Sequence, residues 1–373
     1  MNITVLQNKL KEGLGVVGRI SSKSTNLPVL KNILLKAEDN FLNLSSTDLE
    51  IGIRWWSLVK ITKKGGITVP FSSFSNFINL LPDKKINLSS KGDSVTIDCE
   101  DYETQINGIN EKEFPIFPQI KERGRVSIKS DILCEGFSQI IDVPSLSRVK
   151  PEISGVFVSL GKKEVKLVAT DSYRLAERKI LFKKENKKDF SFIIPQKTAR
   201  EFINIFKEVS KDVDIVFGDN QILFKVNMDE FDHPYIELTS KIIEGNYPDY
   251  ESIIPDDFKT QIILKKEELL NKIKAASVFT GKVNEVNLSI DCEKGEMEIK
   301  SSNSDLGTYK SKIEGRAEGE KVDISFNYRF LLDGLNNIKS SEVILETNGS
   351  SDPGALKPVG KNDFLYVVMP IKN

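Results

Sequence analysis

The residues of this 373-residue chain that are best suited to chemistry are basic side chains recurring along one predicted helix. Lys197, Arg200 and Lys207 follow each other at helical spacing, and Asn204 and Lys211 continue the series. The opposite face is apolar: Ala199, Phe202, Ile203 and Phe206. Such a stripe can face a phosphate backbone, and it is equally the pattern of an ordinary solvated helix face.

The same tendency returns on a later pair of predicted helices. The first of them carries Lys265, Lys266, Lys272 and Lys274, and its partner carries Arg329 and Lys339. Because basic faces recur along the chain, the pattern favours a surface that faces phosphates.

No pattern for catalysis accompanies these residues. The single histidine lies in Asp232-His233-Pro234, without a Cys or Ser partner at motif spacing, so a surface turn is the simplest interpretation. The sequence contains no phosphate-binding loop, no H-E-x-x-H and no G-x-S-x-G. We therefore predict no catalytic residues and no enzymatic activity.

The cysteines indicate neither a metal site nor a disulfide framework. Cys99, Cys134 and Cys292 are far apart, and no C-x-x-C pair occurs. Buried free thiols are expected, with no metal and no cofactor.

Composition narrows the class of protein further. Lys plus Arg number 53 and Asp plus Glu 54, so nucleic-acid affinity would require local separation of charge. Hydrophobic content of 39% and charged content of 29% are typical of soluble proteins. No run of 18 apolar residues and no signal-peptide pattern is present, so we expect a cytoplasmic protein without membrane contact.

The elements that position these residues occur three times. A strand leading into an amphipathic helix is predicted at 3–20, 126–141 and 260–279, and a second such unit at 67–81, 192–209 and 322–338. The period of about 125 to 135 residues is the size of a whole domain. We predict three domains, 1–124, 125–254 and 255–373. Because strands adjoin strands more often than helices, each is expected to be α+β, with antiparallel sheets and two helices.

Local patterns define the first of these domains more closely. A helix over Gln7–Ile20 would bury Leu10, Leu14 and Val17, and a second over Ser72–Leu81 would stop at Pro82. Trp55 and Trp56 are adjacent, so on a strand they would point to opposite faces.

Five segments, in order along nearly the whole chain, resemble the bacterial sliding clamp family, the beta subunit of DNA polymerase III. They are Thr25–Leu35, Thr47–Glu50, Val168–Ala176, Gly245–Tyr250 and Tyr366–Ile371. Val168–Ala176, which spells VATDSYRLA, looks like the most recognisable run of the family.

The resemblance implies a ring of six domains, made by two chains in a head-to-tail homodimer around double-stranded DNA. Helices would line the hole and sheets would form the outer wall, so binding would be independent of sequence. The family is not enzymatic: a clamp loader opens the ring, and the ring tethers DNA polymerase subunits and repair proteins through short linear peptides.

It also implies a peptide-binding groove between the second and third domains. The matching positions are Ile153, Thr170, Ser172, Tyr173, Arg174, Leu175, Pro248, Ile253, Val367, Val368, Met369 and Pro370. Apolar walls of this kind would bury Leu and Phe anchors of a peptide.

Two departures from the family pattern fall beside this groove. Ser172 stands where the family usually has Gly, which changes the freedom of the backbone. Glu251 and Ser252 occupy positions that are often basic, so one polar anchor differs.

For DNA, the resemblance adds loop residues to the basic helix faces. The expected set is Lys23, Arg148, Lys150, Lys197, Arg200, Lys207, Lys272 and Lys274.

Two other functional classes compete with the clamp interpretation. A hydrolase with an unrecognised site is disfavoured because the sequence shows no nucleophilic residue together with a general base at the spacing of a known motif. A repeat-built scaffold that binds only proteins would leave the basic stripe of Lys197–Lys211 without a role.

Overall fold

The computed structural model describes residues 1–21, 27–117, 119–145, 149–181, 189–255 and 257–372. Six α-helices lie in these residues: α1 Gln7–Val17, α2 Phe71–Leu80, α3 Ser130–Ile140, α4 Gln196–Phe206, α5 Lys266–Ser277 and α6 Tyr328–Asn337. None of them is both long and apolar enough to cross a membrane.

The strands of the described residues outnumber the helices. The first ten are β1 Asn2–Leu6, β2 Asn32–Glu38, β3 Phe41–Thr47, β4 Ile51–Leu58, β5 Lys60–Lys63, β6 Gly65–Pro70, β7 Lys85–Lys91, β8 Ser94–Cys99, β9 Tyr102–Asn107 and β10 Gly124–Lys129. The next seven are β11 Gly155–Leu160, β12 Glu164–Thr170, β13 Arg174–Leu181, β14 Phe190–Pro195, β15 Asp212–Phe217, β16 Gln221–Asn227 and β17 Pro234–Lys241. The last nine are β18 Thr260–Lys265, β19 Glu285–Asp291, β20 Glu296–Asn303, β21 Gly307–Glu314, β22 Arg316–Gly319, β23 Val322–Asn327, β24 Glu342–Thr347, β25 Gly354–Pro358 and β26 Phe364–Val368.

The chain divides into two compact units, each with two antiparallel sheets. Unit one comprises Met1–Asp131 and Asn204–Ile242, and unit two comprises Ile132–Ile203 and Ile243–Asn373. Unit one holds the sheets β5-β1-β7-β8-β9 and β10-β15-β16-β17-β4-β3-β2-β6. Unit two holds β14-β11-β12-β13-β26-β25-β24-β18-β22 and β21-β20-β19-β23. Because each unit joins parts of more than one predicted domain, the three domain boundaries stay a prediction.

Helix α1 is stabilised by apolar contacts with the sheet beneath it. Leu10, Leu14 and Val17 are buried, as predicted, although the helix ends at Val17 instead of Ile20. Trp55 lies against it at Gly13, where an added Cβ would be 2.4 Å from the indole ring. The absence of a side chain at Gly13 therefore lets the helix approach the strand.

The two tryptophans of β4 are both buried. Trp55 has no exposed surface, and Trp56 is 9% exposed with its ring edge toward His233. His233, for which the sequence predicts a surface turn, lies in a bend immediately before β17 and is half-buried, with its imidazole stacked on Phe41 at 3.8 Å between ring centroids. Cys99 and Cys134 are buried, as predicted, whereas Cys292 is only partly buried.

A turn of the same geometry occurs once in each unit. In unit one, Thr47 Oγ1 donates to Ile51 O, and Asp48 Oδ1 accepts from the backbone N–H of Glu50 and Ile51. Leu49, between them, has a φ of 74°. The counterpart in unit two forms part of the predicted groove.

Candidate functional site

The turn from Thr170 to Arg174 connects two strands of the large sheet in unit two. Thr170 Oγ1 donates to Arg174 O at 2.7 Å, and Asp171 Oδ1 accepts from the N–H groups of Tyr173 and Arg174. Ser172 donates its N–H to Thr170 Oγ1 and has a φ of 77°, in the left-handed region. At the position where the family usually has glycine, the backbone therefore adopts a conformation that favours glycine, and the serine side chain makes that conformation strained.

The floor of the candidate groove is apolar. Leu175 on β13 pairs with Val367 on β26, and each is 1% exposed. Both belong to a buried cluster with Val168 and Tyr250. Because residues directly opposite each other on antiparallel strands carry their side chains on the same face, Leu175 and Val367 point to the same face of the sheet.

Sequence reasoning missed the aromatic residues that cover this floor. Tyr247 stacks on Phe157 with ring centroids 4.8 Å apart, and Tyr250 donates its hydroxyl to Glu177 Oε2 at 2.8 Å. Burial raises the pKa of both phenols, and the neighbouring Glu177 adds to the effect on Tyr250. The sequence feature that could have identified these tyrosines is their spacing of three residues after the second repeat. The same spacing separates Phe114 and Phe117 after the first repeat.

Arg174 points away from this floor. Its guanidinium donates to Asp171 Oδ2 at 3.0 Å and to Asp142 O at 3.0 Å, and it contacts Asp333. The Phe330 ring of α6 lies 4.7 Å from its carbon Cζ. Arg174 thus joins the helix face of the sheet, whereas Leu175 lies on the opposite face with Tyr250.

The remaining groove residues divide into buried and exposed groups. Ile153, Val368 and Pro370 are buried, and Met369 donates its N–H to Tyr173 O at 2.8 Å. Tyr173 is 65% exposed, Ile253 is 45% exposed, and Pro248 is also exposed. Exposed apolar side chains beside a buried apolar floor suit an extended peptide with hydrophobic anchors.

The basic residues predicted to contact DNA are mostly exposed, and several are paired. Arg200 contacts Asp142 Oδ1 at 3.0 Å, Lys207 contacts Glu208 at 3.7 Å, and Lys272 contacts Glu268 at 3.4 Å. Lys150, Lys197 and Lys274 are exposed. Helix α4 ends at Phe206, so Lys207 and Lys211 lie beyond it and do not extend a helical stripe. Lys23 and Arg148 lie outside the described residues.

No group of three or more His, Cys, Asp or Glu in the described residues is arranged to hold a metal ion.

Repeated antiparallel sheets with helices on one face define the clamp class of folds, and comparisons with known proteins give the family. Three models match in succession: the N-terminal domain of the DNA polymerase III beta subunit over residues 1–118, its central domain over 128–249 and its C-terminal domain over 251–372. The chain belongs to the DNA polymerase III beta subunit family.

Individual relatives agree over the full length. The chain is 28% identical to the beta sliding clamp of Bacillus subtilis (strain 168), covering 100% of both proteins. It is 27% identical to the beta sliding clamp of Staphylococcus aureus (strain Mu50), covering 100% of this chain and 99% of that protein.

Solved structures confirm the fold. The DNA polymerase sliding clamp of Bacillus subtilis superposes with a TM-score of 0.93 at 28% identity, covering 100% of this chain and 99% of that one. The DNA polymerase III beta subunit of Pseudomonas aeruginosa, 22% identical, covers 100% of both chains with a TM-score of 0.93. These findings confirm the predicted α+β clamp fold and the function of a sliding clamp, and they do not favour a protein-only scaffold.

Proposed function

We propose that two copies of this chain close head to tail around double-stranded DNA and tether the replicative polymerase to its template. The family assignment and the resemblance of 28% to a DNA polymerase sliding clamp support a role with DNA and polymerase. The ring itself is supported chiefly by two of the strands at sheet edges, β9 in unit one and β21 in unit two, which in the part of the chain that the structure describes pair on one side only.

These edges correspond to strands that are paired elsewhere in the chain. The third strand after α1 is β4, and it pairs with β17, the third strand after α4. The third strand after α3 is β13, and it pairs with β26, the third strand after α6. By the same rule β21, the third strand after α5, requires β9, the third strand after α2. Because neither strand has a partner on its outer side among the described residues, we propose that a second copy supplies the pairing and closes a ring.

DNA would pass through this ring and contact the basic residues. The proposed set is Lys23, Arg148, Lys150, Lys197, Arg200, Lys207, Lys272 and Lys274. Their contacts would be made to phosphates, so the ring would slide without reading sequence.

Partners would bind in the groove of unit two. Leu175 and Val367 supply a buried floor, and Tyr173 and Ile253 supply an exposed apolar rim. We propose that polymerase subunits, repair proteins and the clamp loader insert short peptides there. In this role the chain has no catalytic residues, the three predicted segments 1–124, 125–254 and 255–373 are its domains, and it acts in the cytoplasm on nucleoid DNA.

The deciding experiment measures solution mass and topological retention. Light scattering is expected to give about 84 kDa, twice the 42.0 kDa of one chain. With a clamp loader and ATP, the protein should stay on closed circular DNA and leave when the circle is cut. A monomer that is not retained on circles would refute the proposal.

Replacing Lys197, Arg200 and Lys207 together with Ala is expected to shorten retention on circles and to reduce its dependence on salt, because phosphate contacts release counterions. A matched variant changes three exposed lysines elsewhere, Lys91, Lys112 and Lys294, and should behave like the unmodified protein. Equal retention of both variants would show that the basic stripe does not contact DNA.

A further inference from the structure

The segment that covers the candidate groove is acidic. Residues 243–255 contain Glu244, Asp249 and Glu251, which are all exposed, and no Lys, Arg or His. The segment is fixed over the groove because Tyr250 is buried against Leu175 and Val367. Its three carboxylates therefore belong to the segment that covers the apolar floor.

Glu251 is held in place by two neighbours. Its Oε1 accepts from Lys166 Nζ at 2.8 Å and from the Tyr250 hydroxyl at 3.4 Å, while 63% of its side chain stays exposed. The hydrogen bond from Lys166 lowers the pKa of Glu251, and the same bond raises the pKa of Lys166. Glu251 begins the short helical turn that ends at the exposed Ile253, so a fixed negative charge sits beside an apolar anchor point.

A second acid approaches from the other side of the segment. Glu152 lies in the turn Pro151–Ile153, next to the buried Ile153, and a Cβ added at Gly245 would be 3.8 Å from its own Cβ. The basic groups nearby are Lys150, which is exposed, Lys166, which is paired with Glu251, and Lys179, which lies 3.2 Å from Glu177 and also lowers the pKa of Glu251. The carboxylates of the segment and its neighbours, Glu152, Glu177, Glu244, Asp249 and Glu251, thus outnumber these ammonium groups.

We infer that this clamp selects partner peptides that carry a Lys or Arg next to their apolar anchors. This inference rests on the proposed peptide groove. The apolar side chains of the peptide would lie along Tyr173 and Ile253 at the exposed rim, and the basic side chain would reach Glu251. Charge complementarity at an exposed rim adds selectivity more than affinity. Position 251, which is often basic in the family that the chain resembles, carries Glu here and would have the opposite charge preference.

The test compares labelled peptides with the same Leu and Phe anchors, flanked by Lys, Gln or Glu, by fluorescence anisotropy on the full-length protein. At low salt the Lys peptide should bind about fivefold more tightly than the Glu peptide, and 0.5 M salt should remove most of the difference. Glu251→Lys should reverse the order. Lys166→Met, which leaves Glu251 unpaired, should widen the original difference.

A control variant, Glu293→Lys, makes the same charge change at an exposed turn between β19 and β20 and should leave the order unchanged. Unchanged circular dichroism of each variant would verify folding. If none of the peptides binds, the proposed groove itself is wrong. If all bind equally and Glu251→Lys has no effect, the groove stands and the selectivity for basic peptides is overturned.

Discussion

Ser172 is an L-residue in a backbone conformation that favours glycine. Its φ of 77° is matched by 74° at Leu49 in the equivalent turn of unit one. In both turns the preceding threonine and aspartate fix the backbone through side-chain hydrogen bonds, so the turn persists without glycine. The strain is thus compensated by neighbouring residues and lies beside the candidate groove.

Ser172→Gly should raise the free energy of unfolding by about 0.5–1 kcal/mol, because the left-handed region costs an L-residue about 1 kcal/mol and costs glycine nothing. Ser172→Ala, which keeps the Cβ, is the control and should give no such gain. Urea denaturation measures both. A glycine variant no more stable than the alanine variant would show that the turn is unstrained.

At the scale of elements, helix α1 offers two glycines with opposite roles. A Cβ at Gly13 would lie 2.4 Å from the Trp55 ring, whereas a Cβ at Gly15 would have no neighbour within 4 Å. Gly13→Ala should therefore destabilise the protein by about 1–3 kcal/mol, because a fully buried indole has no room to move. Gly15→Ala should be neutral or stabilising by up to about 1 kcal/mol, since alanine favours helix.

Thermal or urea unfolding of the two variants tests this pair directly. The same substitution in one helix makes each the control for the other. Equal effects of the two variants would mean that Trp55 does not limit the approach of α1.

The segments that follow the first and second repeats each place an aromatic ring against the third strand of the repeat. A Cβ at Gly52 would lie 2.3 Å from the Phe117 ring, and the Arg54 guanidinium lies 5.2 Å from the centre of that ring. In unit two, Tyr250 and Glu177 occupy the corresponding places. Aromatic residues that follow each repeat thus cover the strand after the turn.

For the whole molecule, the repeat predicts how two copies would pair. In each repeat, the residues that are paired across successive antiparallel strands form an equivalent series. The three series are Ile3–Leu88–Ile97–Thr104, Val126–Ile215–Phe224–Leu238 and Ile262–Leu345–Leu356–Tyr366. The second and third series end opposite Ile53 and Ala176. Thr104 is therefore the residue whose partner is still open.

The partner of Thr104 follows from two serines. Ser46 Oγ and Ser301 Oγ each donate to a carbonyl at the end of the first helix of their repeat, Val17 O and Ala276 O. Ser46 pairs with Ile53, and Ser301 pairs with Tyr309. Tyr309 of one copy should thus lie opposite Thr104 of the other, which places Lys310 opposite Glu103.

Glu103→Lys should weaken the dimer by about 3- to 10-fold, because two like charges would then face each other across strands. Adding Lys310→Glu should restore the affinity. Sedimentation or light scattering on dilution measures the dimer, with Glu113→Lys as a control at an exposed site away from β9. A dimer unaffected by Glu103→Lys would place the interface, or its register, elsewhere.

The sequence by itself determined the repeated strand and helix pattern, the α+β class and the motifs of the family. These follow from local periodicity and from short runs such as Val168–Ala176, which need no knowledge of distant contacts. It also located the strained position at Ser172, since a missing glycine is visible in a motif.

Only the tertiary structure decided which side chains meet. The guanidinium of Arg174 lies on the helix face of the sheet with Asp333. Tyr247 and Tyr250, which lie more than 70 residues further along the chain, cover Leu175. Helix α4 ends at Phe206, before Lys207. The reason is physical: the side of a strand on which a residue lies, and what covers it, depend on strand pairing between distant segments, which a single sequence does not encode locally.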